Sequence, residues 1–161
     1  MKTRKTYSLG SLCVGLGCAM RIFQILCVYV LPSLYGNRII YMAMLCLLVG
    51  GFAVLIYEKK GRASLFAVGA TVSALMTTVM GNMSDGGDSL RVLSALFLYA
   101  MFVFAALLML MKRSGWAKIA GGLTLLLAAG LVVCTLCPVP GAMVTAILCT
   151  AYAAVGIGLN V

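Results

Sequence analysis

Two sets of residues in this sequence have the types and spacing to do chemistry. The first is the pair Cys134 and Cys137, set as Cys-x-x-Cys in the run Val133-Cys134-Thr135-Leu136-Cys137-Pro138. Thiols at i and i+3 on a helix end can close a reactive disulfide, and the first thiol of such a motif can ionise below the ordinary thiol range. The second is Arg21 with Gln24, three residues on, inside an apolar stretch. At that spacing the two share one helix face, and Gly10 and Gly17 fall on the same stripe. A charge at bilayer depth costs at least ~2.5 kcal/mol, so the stripe should face protein rather than lipid. There Arg21 would meet an anion or polar ligand, or would bond to carbonyls and to hydroxyls such as Ser73 or Thr77. The plainer alternative is a structural arginine that snorkels along its helix.

What is missing narrows the chemistry further. The chain has no histidine, so it has neither a histidine base nor a histidine metal ligand. Its one glutamate, Glu58, lies in a connector, which leaves no carboxylate at membrane depth for proton-coupled transport. No nucleophile has a base and an orienting group beside it, and no Gly-rich loop with Lys-Ser/Thr is present to cradle phosphate. Asp85 and Asp88 stand among glycines but lack the further ligands and closing glutamate of a calcium loop, so they read as a solvated loop. The Cys-x-x-Cys pair resembles that of membrane thiol oxidoreductases of the vitamin K epoxide reductase type. Those proteins relay electrons to a second cysteine pair in an outer loop. No outer loop here carries one, and Cys27 is the only nearby substitute. Cys13, Cys18, Cys46 and Cys149 lie within apolar runs, where cysteine packs as a small hydrophobe. A zinc site is disfavoured without histidine or a second pair. The expectation is a non-enzymatic protein with no metal and no cofactor.

The elements that carry these residues follow from composition. The chain is 64% hydrophobic and 9% charged, against roughly 45–50% and about 25% in soluble domains. A chain of 161 residues cannot hide that much apolar surface in its own core. Six apolar runs stand out, at Leu9 to Leu31, Ile39 to Tyr57, Ala63 to Met80, Val92 to Met111, Ala117 to Leu136 and Ala142 to Leu159. Each is near the roughly 20 residues that a helix needs to cross a bilayer. Strands of a barrel would alternate polar and apolar, and these runs do not. The predicted fold is all-α: one domain, a polytopic membrane protein with six transmembrane helices in three antiparallel hairpins. Turn residues separate the runs at Pro32 to Asn37, Glu58 to Arg62, Lys112 to Gly115 and Cys137 to Gly141, and the stretch Gly81 to Ser89 is the longest loop.

The cations set the expected orientation. Lys2, Arg4, Lys5, Lys59, Lys60, Arg62, Lys112, Arg113 and Lys118 fall on one side, while Arg38 and Arg91 fall on the other. Nine against two places the N- and C-termini in the cytoplasm of a cell inner or plasma membrane. Clustered between apolar runs, these cations are a topology signal rather than a nucleic-acid surface. Met1 to Lys5 and Leu9 to Met20 resemble a signal peptide, but the apolar run resumes after Arg21, which argues against cleavage. Tyr7, Tyr35, Tyr41, Tyr57 and Trp116 lie near the predicted interfaces, where amphipathic rings settle.

The sixth run carries a packing pattern: Ala142, Ala146, Thr150, Ala154 and Gly158 recur every four residues, and the fifth run repeats it at Ala120, Thr124 and Ala128. Small residues at this spacing allow close helix approach. The fifth and sixth helices are therefore expected to pack through these faces, or one ladder to face a second subunit. The functional expectation is a small membrane subunit or accessory protein that works with a partner, its polar interior lined by Arg21 and Gln24. The alternatives are an outer-facing thiol–disulfide protein using Cys134 and Cys137, and a small solute channel, carrier or substrate-binding transporter subunit. In helix count alone the chain resembles the substrate-binding subunits of energy-coupling vitamin transporters.

Overall fold

Away from water, backbone N–H and C=O groups must pair within their own segment, and every apolar run folds as an α-helix. The computed structural model describes residues 8–31, 37–83, 87–137 and 139–161. Among them six helices follow in order: α1 Leu9–Val30, α2 Arg38–Glu58, α3 Arg62–Asn82, α4 Asp88–Leu110, α5 Gly115–Leu136 and α6 Gly141–Asn160. All six are long and apolar enough to cross a membrane. The stretch read as the longest loop is helical at both ends, since Gly81 and Asn82 belong to α3 and Asp88 and Ser89 to α4. The Asp88 carboxylate in the first turn of α4 suits the positive end of a helix. Asp85, Pro32 to Gly36, Pro138 and the cations Lys2, Arg4 and Lys5 lie outside the described residues.

Helix neighbours follow the chain. Each helix packs on the next, and α6 returns to α1, which closes a ring. α6 also touches α4, so α5 sits against the α4–α6 side and touches no other helix among the described residues. The remaining five helices surround the interior. The α1–α2 and α3–α4 hairpins make the most extensive contacts, whereas α5 packs on α6 no more extensively than it does on α4. Two hairpins, rather than three, stand out as units.

The α1–α2 seam is tight because glycines let the backbones meet. A Cβ at Gly51 would lie 2.7 Å from the Val14 nitrogen, and one at Gly10 would lie 2.8 Å from the Gly51 carbonyl oxygen. Around the seam Val14, Leu48, Phe52 and Leu55 are buried, and the core continues through Phe102 and Met109. The Phe102 and Tyr152 rings meet edge to face, with centroids 5.0 Å apart, a favoured aromatic geometry.

One end of the bundle carries Ser8, the α2–α3 and α4–α5 connections and Asn160; with Lys59, Lys60, Arg62, Lys112, Arg113 and Lys118 there, it is the basic end. Long-range capping ties it together. Glu58, the last residue of α2, accepts a hydrogen bond from the Ser8 hydroxyl and one from the Gly10 backbone N–H at 3.3 Å. A carboxylate thus sits at the positive end of α1. Lys112 donates to the Leu159 carbonyl and, at 3.4 Å, to the Gly158 carbonyl, so a cation closes the last turn of α6. The Asn160 amide donates to the Ser11 carbonyl at 2.9 Å and joins the ends of α6 and α1. Within the helices, Thr71, Thr77, Thr78, Thr124, Thr145 and Thr150 each donate to the carbonyl four residues back, which satisfies their hydroxyls locally.

Candidate functional site

The stripe Gly10, Gly17, Arg21 and Gln24 runs down the protein-facing side of α1. Gly10 and Gly17 take up the α2 backbone, and Gln24 is only 5% exposed. The i,i+3 spacing does what helix geometry allows: Arg21 Nη1 donates to Gln24 Oε1 at 2.7 Å. The Gln24 amide oxygen thereby orients the guanidinium, which also bonds to the Tyr152 hydroxyl.

Three cavities converge on Arg21. A cleft of about 380 Å³ opens toward the far end, lined by Arg21, Gln24, Asn37, Arg38, Tyr41 and Asn82. An interior cavity of about 50 Å³ brings Arg21 together with Tyr41, Thr77, Thr78, Leu98 and Tyr152. A side cavity of about 220 Å³ reaches from Arg21 past Tyr29, Thr145 and Tyr152. The five helices of the ring all contribute, and α5 contributes nothing. Among the described residues no carboxylate lines any of the three cavities. Tyr152 is within interaction reach of Arg21, and the Tyr29 and Thr145 hydroxyls lie 3.3 Å apart. A guanidinium set among phenols and amides, with a second arginine at the mouth, can take a planar anion in two parallel hydrogen bonds.

No family model, curated protein or solved structure matches this chain. Its chemistry must be read from its own residues.

Those residues depart from the sequence expectations in several places. Tyr41 was expected at an interface and instead turns into the Arg21 cavities, whereas Tyr57 and Trp116 are exposed at the basic end. Cys134 is half-buried, and Cys137, which ends α5, is exposed; both are free thiols. Cys27 is buried on α1, and α1 makes no contact with α5 among the described residues. Asp88 pairs only with Arg91, at 3.9 Å on an exposed surface. Among the described residues no cluster of three metal-ligating side chains exists.

The α6 ladder divides. Ala154 and Gly158 are buried, and a Cβ at Gly158 would meet Met109 and the Ala120 Cβ. On α5, Thr124 and Ala128 are buried. Ala142, Ala146 and Thr150 are exposed, so only the basic-end half of the ladder is packed. The composition of the ladder is uniform, and the difference arises because α6 meets α4 as well as α5 near Met109.

Sequence reasoning missed Tyr29, Tyr41 and Tyr152 as companions of Arg21. A signal existed for Tyr152, a lone phenol in the middle of an apolar run, where its hydroxyl must find a partner. It missed the partners of Glu58 entirely, because they lie 48 and 50 residues away along the chain.

Proposed function

We propose that this chain is a multi-pass membrane protein of a cell inner or plasma membrane, inserted with its basic end in the cytoplasm. We assign it a non-enzymatic role as a binding component for a small anionic solute, held at Arg21 and passed to or from a partner subunit. Two features support the membrane reading. Large apolar side chains are exposed on every helix, among them Leu16, Ile39, Leu65, Leu96, Leu126 and Ile157, far beyond the patches of a soluble monomer. The nine-to-two partition of Lys and Arg supports the orientation.

The observation that carries the binding role is a guanidinium facing three cavities with no carboxylate in their linings among the described residues. A charge held this way in a low-dielectric interior favours an anion strongly over water. The far-end cleft, with Arg38 at its mouth, gives the anion a route in from the extracytoplasmic side.

The test is a thermal-shift screen of the purified protein against small carboxylates, phosphates and sulfonates. A ligand present at about 100 times its Kd stabilises by about 2.7 kcal/mol. Arg21→Leu should abolish that shift, and Arg21→Lys should retain part of it, since a lysine keeps the charge and loses the planar fork. If no anion stabilises the parent, or if Arg21→Leu responds like the parent, the binding role is wrong. Tags at both ends should report the cytoplasmic face, and copurification should identify the partner.

A further inference from the structure

A second cavity lies at the basic end, at the opposite end of the bundle from the Arg21 cleft. It encloses about 170 Å³, with Ser8, Ser11, Lys59 and Lys112 on its polar side and Leu55 and Leu108 on an apolar wall. That is room for a group of several heavy atoms rather than a single water. Neither lysine has a carboxylate within ion-pair distance among the described residues; the one ion pair there is Arg91 with Asp88, at the far end. Glu58, the neighbour of Lys59 in the chain, is held by the Ser8 hydroxyl and the Gly10 N–H and makes no ion pair with either lysine. Lys112 is anchored by the terminal carbonyls of α6, so its charge is fixed in place rather than swept through solvent.

Burial, and then the neighbouring Lys59, hold the Lys112 ammonium below its ordinary pKa. Two cations share a half-enclosed space, and among the described residues no anion bridges them. An anion there would relieve both the like-charge repulsion and the loss of hydration. The apolar wall fits the uncharged portion of an amphiphile, and basic pockets between helices at a cytoplasmic surface are suited to phosphate headgroups.

We propose that this cavity is a phosphate site, in which Lys59 and Lys112 hold one anionic phosphate group. Two sources carry that chemistry: the headgroup of an anionic phospholipid, and soluble phosphate. The lipid source rests on the membrane reading above, and failure of that reading would show separately, as failure of the protein to enter bilayer discs.

The experiment uses the full chain in discs of neutral phosphatidylcholine, with phosphatidylglycerol added in one arm and inorganic phosphate in the other. The unfolding midpoint is followed in both, and native mass spectrometry counts retained lipid. Lys59→Gln is the test variant, because the Lys59 side chain lines the cavity while its backbone N–H, which caps α2 on Leu55, is kept in the variant. Lys60→Gln is the control, exposed and outside the lining. Phosphatidylglycerol should raise the midpoint of the parent and of Lys60→Gln, while Lys59→Gln weakens the apparent affinity roughly fivefold, the effect of about 1 kcal/mol per lysine. The same pattern with inorganic phosphate alone would keep the site and assign it to the soluble ion. No response in either arm, or equal losses in Lys59→Gln and Lys60→Gln, overturns the proposal and leaves only diffuse surface charge.

Discussion

The α1–α2 seam and the far half of α6 are both rich in small residues at helical spacing, yet they end in opposite environments. At the seam, Gly10 and Gly17 meet Leu48, Gly51 and Leu55, and no extra carbon fits. On α6, Ala142, Ala146 and Thr150 face outward. The difference lies in the partner. A small residue lets a neighbour approach closely, but only a facing surface of matched shape makes the approach stable. Gly51 has that surface in Val14. The outer ladder has none among the described residues.

The contrast can be broken or sharpened by substitution. The largest effect is expected at Gly51→Leu, where a side chain would have to displace α1 backbone; the cost should reach about 3 kcal/mol or more, seen as loss of a monodisperse folded protein or a steep fall in unfolding midpoint. Gly158→Val should cost less, about 1–2 kcal/mol, because one obstructing neighbour is the flexible Met109 side chain and the other the Ala120 methyl. A Gly158→Val protein as damaged as Gly51→Leu would show that the α5–α6 contact is as rigid as the seam. Glu58→Gln should lower stability by about 1 kcal/mol through the weakened cap on α1, and thermal unfolding without change would mean that the seam holds α1 unaided. Smallest of all, Ala146→Leu should alter single-chain stability by less than ~0.5 kcal/mol. The same variant should be run through size-exclusion with mass detection: loss of a larger assembly would identify the outer ladder as a seam between subunits.

The helices were legible in the sequence because hydropathy acts over whole segments. All six runs fold within a few residues of their predicted limits, and the main revision, the earlier start of α4, follows from an acid at a helix N-terminus. Arg21 and Gln24 were legible as a pair because their contact is local, three residues apart. What could not be read is whatever depends on which helices meet. The gathering of Tyr41, Thr77 and Tyr152 around Arg21 takes residues from α2, α3 and α6. The exclusion of α5 from that interior, and with it the isolation of Cys134 and Cys137 from Cys27, depends on the order of helices in the ring. Periodicity along one helix contains no information about that order.

Because α6 packs on α1 and its Asn160 amide bonds to the Ser11 carbonyl, the circle stays open during synthesis until α6 is made. α1 must therefore wait, its Gly15 side uncovered, while α2 packs beside it and α3 to α5 follow around the ring. Helical pairs that zip early, α1 with α2 and α3 with α4, would then act as preassembled staves, and the final stave would lock the barrel shut. Such a molecule should be most vulnerable to quality-control proteases just before α6 emerges, and variants that lack α6 should be cleared from the cell far faster than their lost mass would suggest.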